Sequence, residues 1–337
     1  MHTLSKTTPL VFQWLPKKFG NSVPNNENYP YLQRLVNWAK REPQRDIHLV
    51  VYDQGLQSEQ IQDLKDKLGP VDNIKVVDFS KIELGETDFT FPFIEEKITI
   101  SEVLKYRYND IHPSRRRDNF SKRIHFGVIL DAMRLVMLQN IQQITGKQEA
   151  IYMDFDIFPD KNGKNLNEIK IPKGILMADG EQNDSAYVCS WENSIIAINK
   201  LAQPILLEII CHLQKKFDFC ITPSDINNID QDTVLGSMES ILNLMVTSEY
   251  SKKPKEELIT TNNKNNVYSE LQEQSAELKK LYTFQNSCLY VQQTQDSSWK
   301  KTNLYDTDEL QLEFDSSPSS DMNNSNIESK NQSEIKF

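Results

Sequence analysis

Apolar residues in the first part of the chain recur with two alternating periods. Short apolar runs at residues 9–14, 47–52 and 74–79 predict buried strands. Between them, apolar residues at the i, i+3, i+4, i+7 spacing predict two amphipathic helices. This order of strand, helix and strand predicts a parallel sheet joined by crossover helices. The apolar faces of the two helices are formed by Leu32, Leu35, Val36 and Ala39 and by Ile61, Leu64 and Leu68.

The most informative alternation runs through residues 150–159, which read AIYMDFDIFP. In an extended chain Tyr152, Asp154 and Asp156 share one face, and the apolar residues share the other. Two carboxylates on such a face repel each other and are costly to bury without a positive charge between them. Oxygen ligands suit Mg²⁺ or Mn²⁺ rather than zinc, so the pair is a candidate metal site. From the motif alone, an acidic pair on an exposed strand end stays an open alternative.

Two further positions carry candidate chemistry. Residues 127–138, GVILDAMRLVML, are apolar on almost every side and predict a buried helix, in which Asp131 and Arg134 share one face. The two form either a satisfied buried ion pair or a polar patch directed at a ligand, with Arg134 near a phosphate or base and Asp131 near a sugar hydroxyl. Trp14, at the end of the first predicted strand, is either a core residue or a platform for a nucleobase.

Composition narrows the classes of protein that remain. The chain has 337 residues and a net charge of -10, which argues against a nucleic-acid-binding protein. We expect no transmembrane segment and no cleavable signal peptide, because no apolar run is long enough for either. The four cysteines form no CxxC, which argues against a disulfide scaffold or zinc ribbon. No GxGxxG or P-loop occurs, which weakens dehydrogenase and NTPase interpretations.

Two polar segments lie outside the predicted core. Residues 251–266 have the composition of a surface linker, and the Ser- and Asn-rich residues 306–337 have that of a disordered tail. Such segments bury too little apolar surface to offset the entropy lost on ordering. The folded domain is therefore predicted at residues 8–305.

Seven short blocks occur along the chain in a recognisable order. They are PLVFQW at 9–14, YPYLQRLVNWAK at 29–40, DAMR at 131–134, IYMDFD at 151–156, PKGI at 172–175, ENSIIAIN at 192–199 and SSW at 297–299. Their order resembles that of the NleB/SseK family of bacterial effectors, which attach N-acetylglucosamine to arginine side chains of host proteins. The chain is also distantly similar to clostridial-toxin-type glucosyltransferases. The resemblance implies a GT-A (Rossmann-like) glycosyltransferase fold, an α/β fold with a mixed, mainly parallel central sheet.

The resemblance implies roles for individual residues. Trp14 matches the tryptophan that stacks on the uracil of the donor, UDP-N-acetylglucosamine. Glu192 and Asn193 match the catalytic pair beside the acceptor arginine. The implied ligands of Mn²⁺ or Mg²⁺ are Asp154, Asp156 and Asn286. The other implied donor-binding residues are Tyr31, Asp131, Arg134, Tyr152, Asp154, Ser297 and Trp299, the last two in a C-terminal lid at residues 286–300.

The sequence also departs from the family pattern. The family has a histidine shortly after the PKGI-like turn, where residues 176–179 here read Leu-Met-Ala-Asp, and the stretch between Arg117 and Asp131 is short. A glucosyltransferase that uses UDP-glucose on Ser or Thr therefore stays open, as does a catalytically silent nucleotide-sugar-binding module. A phosphatase of the haloacid-dehalogenase type is disfavoured because the DFD motif follows several predicted strands rather than the first.

Partner and compartment are implied by the resemblance alone. The acceptor would be an arginine-bearing host protein, of the death-domain or small-GTPase type, modified by a monomeric enzyme. The protein would be made in the bacterial cytoplasm and secreted into the host cell cytoplasm. A basic run at residues 115–123 would be either a solvated helix face or a contact for an acidic surface.

Overall fold

A computed structural model describes most of the chain up to residue 293. The described residues are 2–16, 19–25, 27, 30–93, 96–108, 126–159, 166–179, 191–219, 231–251, 280–282, 284 and 291–293. The predicted tail, the basic run at 115–123 and all but the first residue of the predicted linker lie outside these ranges. So do the predicted site residues Asn286, Ser297 and Trp299.

Strands and helices alternate through the first half of the described chain. The strands are β1 His2–Thr3, β2 Leu10–Trp14, β3 Ile47–Val51, β4 Ile74–Asp78, β5 Thr90–Phe93, β6 Glu96–Thr99, β7 Ala150–Met153, β8 Ile157–Pro159, β9 Lys170–Ile171, β10 Ile175–Asp179, β11 Trp191–Ile198 and β12 Val291–Gln293. The α-helices are α1 Tyr31–Arg41, α2 Ser58–Leu68, α3 Ile100–Tyr108, α4 Phe126–Gln139, α5 Ile141–Thr145, α6 Gln203–Asp218 and α7 Gln231–Ser251. None of the described helices is long and apolar enough to cross a membrane.

Six strands form the central sheet, in the order β4-β3-β2-β7-β11-β10. β2 pairs in parallel with β3 and with β7, and β3 pairs in parallel with β4. β11 is antiparallel to both of its neighbours, so β10 runs in the same direction as the four parallel strands. The mixed, mainly parallel α/β sheet implied by the resemblance is confirmed. Its strands β2, β3 and β4 are the parallel strands predicted from the apolar periodicity. The helices at residues 31–41, 58–68 and 126–139 were also expected from that periodicity.

Each face of the sheet has its own hydrophobic core, because alternate strand residues point to opposite faces. Phe12 and Leu49 pack on one side with the apolar residues of α1 and α2. Val11 and Val50 pack on the other side with α3, α4, α6 and α7. The sheet is therefore covered on both faces, and its strand ends are the places where polar groups can meet solvent or ligand.

A buried arginine closes the amino-terminal edge of the sheet. Arg45, just before β3, is fully buried. Its guanidinium donates hydrogen bonds to Glu42 Oε2 at 3.0 Å, to the carbonyls of Ser5 and Thr8 at 2.9 and 2.8 Å, and to Asn167 Oδ1 at 2.7 Å. These bonds join the start of the chain to α1 and to the segment before β9. Buried charge is tolerated here because its donors are satisfied.

One strand prediction was wrong. The apolar alternation through residues 150–159 predicts a continuous strand, but the strand stops at Met153 and resumes at Ile157. Between them the chain turns, and the Ile157 N–H donates to the Asp154 carbonyl at 3.0 Å. The alternation was still informative, because Ile151, Met153, Phe155 and Ile157 all enter the same core. Asp154 and Asp156 consequently lie on a turn rather than on a flat strand face.

Candidate functional site

Several predicted site residues meet at the carboxyl-terminal edge of the sheet. β2 ends at Trp14, and β7 ends immediately before Asp154. Because β2 and β7 run in parallel side by side, their carboxyl ends lie at the same edge. Ligands of open α/β sheets bind at this edge. The strand directions alone therefore place the predicted nucleobase platform and the predicted metal motif at neighbouring positions.

Arg134 of α4 is the centre of a buried polar cluster at this edge. Its Nη2 donates to Asp154 Oδ1 at 2.8 Å, and its Nη1 donates to the Asn193 carbonyl at 2.9 Å. Asp131 Oδ1 lies 3.3 Å from the same Nη1. The guanidinium carbon lies 4.6 Å from the ring centre of Tyr152, whose hydroxyl donates to Asp154 Oδ1. We call these five residues the Arg134 cluster. The structure thus joins residues predicted separately from three blocks of sequence.

The Arg134 cluster contains more negative than positive groups. Burial raises the pKa of Asp131 to about 6, against the opposing effect of Arg134. Burial also raises the pKa of Asp154, and the charge of Glu192 raises it further, although Arg134 and Tyr152 oppose the change. Burial alone would lower the pKa of the Arg134 guanidinium, but the nearby carboxylates and Tyr152 outweigh burial and raise it. One guanidinium is therefore shared by two carboxylates, with a third nearby.

A bulge in β11 brings Glu192 and Asn193 to the cluster. Met177 of β10 pairs with Ile196, but the next residue, Ala178, pairs with Glu192. The three intervening residues of β11 leave the ladder with β10, and the Ser194 carbonyl accepts a hydrogen bond from the Asp154 N–H at 2.8 Å. Bulges of this kind redirect side chains and are frequent beside active sites. Glu192 and Asn193 are each partly exposed.

An aromatic group surrounds the turn that carries the two aspartates. Phe155 lies between them in sequence, and its ring stacks on Tyr31 with centres 4.9 Å apart and an angle of 17°. Trp14 meets Phe155 edge-on at 6.1 Å and Tyr31 at 6.3 Å. Trp14 is partly exposed, and its Nε1 donates to the Asn21 carbonyl at 3.1 Å. Sequence reasoning assigned no role to Phe155, although its place in the apolar alternation predicted its burial.

The donor chemistry of this edge fits a hard divalent cation. No three His, Cys, Asp or Glu side chains come together as a metal site within the part of the chain that the structure describes. Asp154 and Asp156 nevertheless offer carboxylate oxygens at a partly exposed edge, and 31% of the Asp154 side chain is exposed. Mg²⁺ and Mn²⁺ are commonly held by one or two carboxylates together with substrate phosphates. The predicted third ligand, Asn286, lies outside the described residues.

Part of the predicted C-terminal lid is described. Residues 291–293 form β12, which pairs antiparallel with β8, and Gln293 lies opposite Ile157. Just before the predicted lid, the chain lies beside β10. The Met177 N–H donates to the Tyr282 carbonyl at 2.9 Å, and the Phe284 N–H donates to the Met177 carbonyl at 3.0 Å. The C-terminal segment therefore contacts the strand that follows Asp156. Sequence reasoning anticipated no strand in this segment.

Comparison with known proteins gives relatives of one kind. No protein-family profile matches the chain. It is 27% identical over 238 residues to the protein-arginine N-acetylglucosaminyltransferase SseK3 of Salmonella typhimurium, covering 60% of this chain and 69% of that relative. It is 21% identical over 258 residues to the protein-arginine N-acetylglucosaminyltransferase NleB1 of Escherichia coli O157:H7, covering 65% of this chain and 74% of that relative.

A solved structure of a transferase has the same fold, with a TM-score of 0.52 and 19% identity over 88% of this chain and 95% of that one. At this identity the likeness concerns the fold alone. The predicted GT-A fold class is confirmed. The relatives and this fold neighbour are transferases, as the motifs predicted. The comparisons therefore confirm the resemblance inferred from the sequence blocks: this chain is similar to the NleB/SseK protein-arginine N-acetylglucosaminyltransferases.

Proposed function

We propose that this protein transfers N-acetylglucosamine from UDP-N-acetylglucosamine to an arginine side chain of another protein. The observation that carries the proposal is the Arg134 cluster, in which one guanidinium joins the two predicted donor-binding carboxylates, Asp131 and Asp154, at the carboxyl edge of the sheet. The relatives bearing this activity by name support the choice of transferred sugar and of acceptor residue.

The donor site would be formed by the aromatic group and the two aspartates. Trp14 offers a partly exposed indole at the end of β2, suited to stacking on uracil. Asp154 and Asp156 would hold Mn²⁺ or Mg²⁺ between themselves and the diphosphate, with Asn286 as a further ligand. When bound, the divalent cation supplies positive charge beside the UDP leaving group. Arg134 keeps Asp154 oriented through its 2.8 Å contact.

Acceptor chemistry is assigned to the bulge of β11. An arginine side chain is a poor nucleophile, because its pKa exceeds about 12 and it is almost always protonated. In the transfer, a guanidinium nitrogen bonds to the anomeric carbon, the bond from that carbon to UDP breaks, and the guanidinium loses one proton. Glu192 is the candidate that orients the guanidinium and accepts that proton. The backbone carbonyl of Asn193 accepts a hydrogen bond from Arg134. This bond links the proposed acceptor side, in the bulge of β11, to the proposed donor side, around Arg134.

A second acceptor class is favoured by one observation. Ala178, which pairs with Glu192 across the strands, is one of the four residues that stand where the family has a histidine. Ala178, the residue opposite Glu192 on β10, therefore presents only a methyl group to an acceptor at this site. A glucosyltransferase acting from UDP-glucose on Ser or Thr is the alternative for this site.

The test is incubation of the purified protein with Mn²⁺, UDP-N-acetylglucosamine or UDP-glucose, and candidate acceptors that include death-domain and small-GTPase proteins. Intact mass and peptide sequencing then identify the sugar and the modified residue. We expect an N-acetylhexosamine mass on arginine. A hexose on Ser or Thr would favour the alternative, and wild-type rates in Asp154→Ala/Asp156→Ala protein would exclude the proposed metal role. Donor binding in calorimetry with Mn²⁺, without transfer or hydrolysis of the donor, would favour the silent binding module.

Three expectations belong to this proposal and rest on the resemblance rather than on contacts. These are the lid residues Ser297 and Trp299, the monomeric state, and secretion from a bacterium into the host cytoplasm. The domain limits at residues 8–305 stay a prediction from composition. The association of relatives with Salmonella and Escherichia coli supports a bacterial source. Truncation at residue 305, followed by the same transfer assay, tests whether the tail is needed for catalysis.

A further inference from the structure

Two side chains of α1 reach across to the turn that carries the predicted metal ligands. Arg34 Nη1 donates to the Phe155 carbonyl at 2.7 Å, and Trp38 Nε1 donates to the Ile157 carbonyl at 3.2 Å. Residues four apart on a helix share a face, so both donors leave α1 in the same direction. Both side chains are buried, with 8% of Arg34 and 1% of Trp38 exposed. These bonds connect positions more than a hundred residues apart in sequence.

The two accepting carbonyls flank Asp156. The Phe155 carbonyl belongs to the peptide that enters Asp156, and the Ile157 carbonyl belongs to the peptide that leaves Ile157 at the start of β8. Asp156 lies in the break between β7 and β8, where no strand ladder fixes the backbone on both sides. The α1 donors therefore hold the peptide that enters Asp156 and, on its other side, the peptide that follows Ile157. We call Arg34 and Trp38 the α1 clamp.

A ring contact restrains the same turn. The Arg34 guanidinium carbon lies 5.5 Å from the ring centre of Tyr31, and Tyr31 stacks on the Phe155 ring. Arg34 thus restrains Phe155 through its carbonyl and, through Tyr31, its ring. A charged donor in a buried place makes a stronger bond than a neutral one, and a planar guanidinium directs that bond well.

We propose that Arg34 and Trp38 are positioning residues that fix the backbone on both sides of Asp156, so that its carboxylate is held ready for a divalent cation. The inference rests on the proposed function for the cation, but the clamp itself is a property of the chain. Neither residue needs to touch the donor or the cation for this role. A carboxylate on an unsupported turn would have to lose conformational freedom on binding, which weakens affinity.

The alternative is that these side chains only pack α1 onto the sheet. In that case their loss lowers stability without changing the geometry at Asp156. The variants that separate the two are Arg34→Met, which keeps the apolar stem and removes the donors, and Trp38→Phe, which keeps an aromatic ring. Lys40→Met is the matched control, because Lys40 is exposed on the same helix.

The experiment measures three quantities for each full-length protein: the melting temperature, the Mn²⁺ dissociation constant by electron paramagnetic resonance of free Mn²⁺, and hydrogen exchange of backbone amides in residues 153–159. We expect Arg34→Met and Trp38→Phe to weaken Mn²⁺ binding about 10-fold to 100-fold and to speed exchange in that segment. UDP-sugar hydrolysis should need more Mn²⁺ for half-maximal rate, with the rate at saturating Mn²⁺ largely restored. Lys40→Met should match the wild type.

The outcomes separate this inference from the proposed function. If the wild type binds Mn²⁺ and both clamp variants bind it within twofold of the wild type, the inference is overturned. If the wild type binds no Mn²⁺, the proposed metal role fails, and the hydrogen-exchange data alone test the positioning role of Arg34 and Trp38. Unchanged exchange in residues 153–159 of both folded variants would then overturn that role, and faster exchange confined to that segment would support it.

Discussion

Two buried arginines stand at opposite edges of the same sheet, and their surroundings differ in one decisive way. Arg45, at the amino edge, has one carboxylate partner, Glu42, and three neutral oxygen acceptors. Arg134, at the carboxyl edge, contacts two carboxylates, Asp131 and Asp154. Burial is the principal influence on the pKa of Arg45 and lowers it, despite Glu42. At Arg134 the negative neighbours outweigh burial and raise the pKa.

The difference distinguishes a structural contact from a candidate binding site. Around Arg45 the guanidinium donors are satisfied within the protein by one carboxylate and three neutral oxygens, and Glu149 acts on the guanidinium through its charge alone. Around Arg134 two carboxylates contact a single guanidinium, and the Asp154 side chain is 31% exposed. Glu192 adds to the negative field that acts on Asp154. Excess negative charge at a partly open sheet edge is the arrangement that a divalent cation and a cationic acceptor would complete.

The largest effect on stability is expected at Arg45, whose guanidinium donors are satisfied within the protein. Arg45→Met should lower the free energy of unfolding by about 3–5 kcal/mol, because it leaves the buried Glu42 carboxylate without its charge partner and removes hydrogen bonds to three further oxygens. Urea unfolding measures the loss. Mn²⁺ affinity of the protein that remains folded should not change, since the amino edge is remote from the aspartates. A change in Mn²⁺ affinity comparable to that of an aspartate variant would remove the distinction between the two edges.

The second prediction concerns the edge with excess charge. Asp156→Asn should reduce UDP-sugar hydrolysis about 100-fold, which is roughly 3 kcal/mol in transition-state stabilisation, while the free energy of unfolding stays within about 0.5 kcal/mol. Asp72→Asn, at an exposed aspartate, is the control and should leave both quantities unchanged. Hydrolysis at the wild-type rate in Asp156→Asn would contradict the assignment of this residue as a metal ligand.

A fall in pH should change the contributions of Asp131 and His48 to folding stability in opposite directions. The folded-state pKa of Asp131, about 6, lies above its ordinary 3.8, so Asp131 stabilises the fold at low pH and loses that effect as the pH rises through about 6. Burial in β3 lowers the pKa of His48 to about 4 from 6.5, so its contribution is lost as the pH falls from about 6.5 to 4. Each slope is at most about 1.4 kcal/mol per pH unit, and in the wild type the two oppose each other.

Single variants reveal the two opposed titrations. Between pH 6 and pH 4.5, with EDTA present, Asp131→Asn should lose more unfolding free energy than the wild type, and His48→Leu should lose less. Urea unfolding at both pH values measures the slopes. The same slope in both variants and the wild type would show that neither group titrates as its surroundings indicate.

The smallest effect is expected from an exposed pair near the amino edge. Lys75 lies 2.7 Å from Asp46, and the two side chains are 51% and 40% exposed. Lys75→Met should change the free energy of unfolding by no more than about 0.5 kcal/mol. It should also raise the pKa of His48, because the charge of Lys75 helps to lower it. Histidine ring signals in an NMR titration report that pKa, and no upward shift would argue against this electrostatic effect.

The sequence predicted the strands and helices that have a local pattern of apolar residues. The apolar periods of β2, β3, β4 and α4 gave their positions to within a residue or two. The break at Asp154 was missed because the apolar alternation continues through the turn, so the pattern is the same for a straight and an interrupted strand. Periodicity describes burial, and burial was preserved on both sides of the break.

Long-range contacts had no local signature. The bulge that carries Glu192 was not predicted, because it is defined by pairing with β10 and β7 rather than by residue type. The bonds from Arg34 and Trp38 to the aspartate turn were missed for the same reason, although both residues lie in the YPYLQRLVNWAK block at 29–40. The motifs predicted the candidate site residues, and the fold determines which of those residues are in contact.

The most direct test of the excess charge at the Arg134 edge is calorimetric titration of Mn²⁺ into the metal-free protein with UDP present. The wild type and Arg45→Lys should bind one Mn²⁺ ion each with similar affinity, whereas Asp154→Asn/Asp156→Asn should bind at least about 100-fold more weakly. Equal Mn²⁺ binding by the double aspartate variant and the wild type would contradict the account.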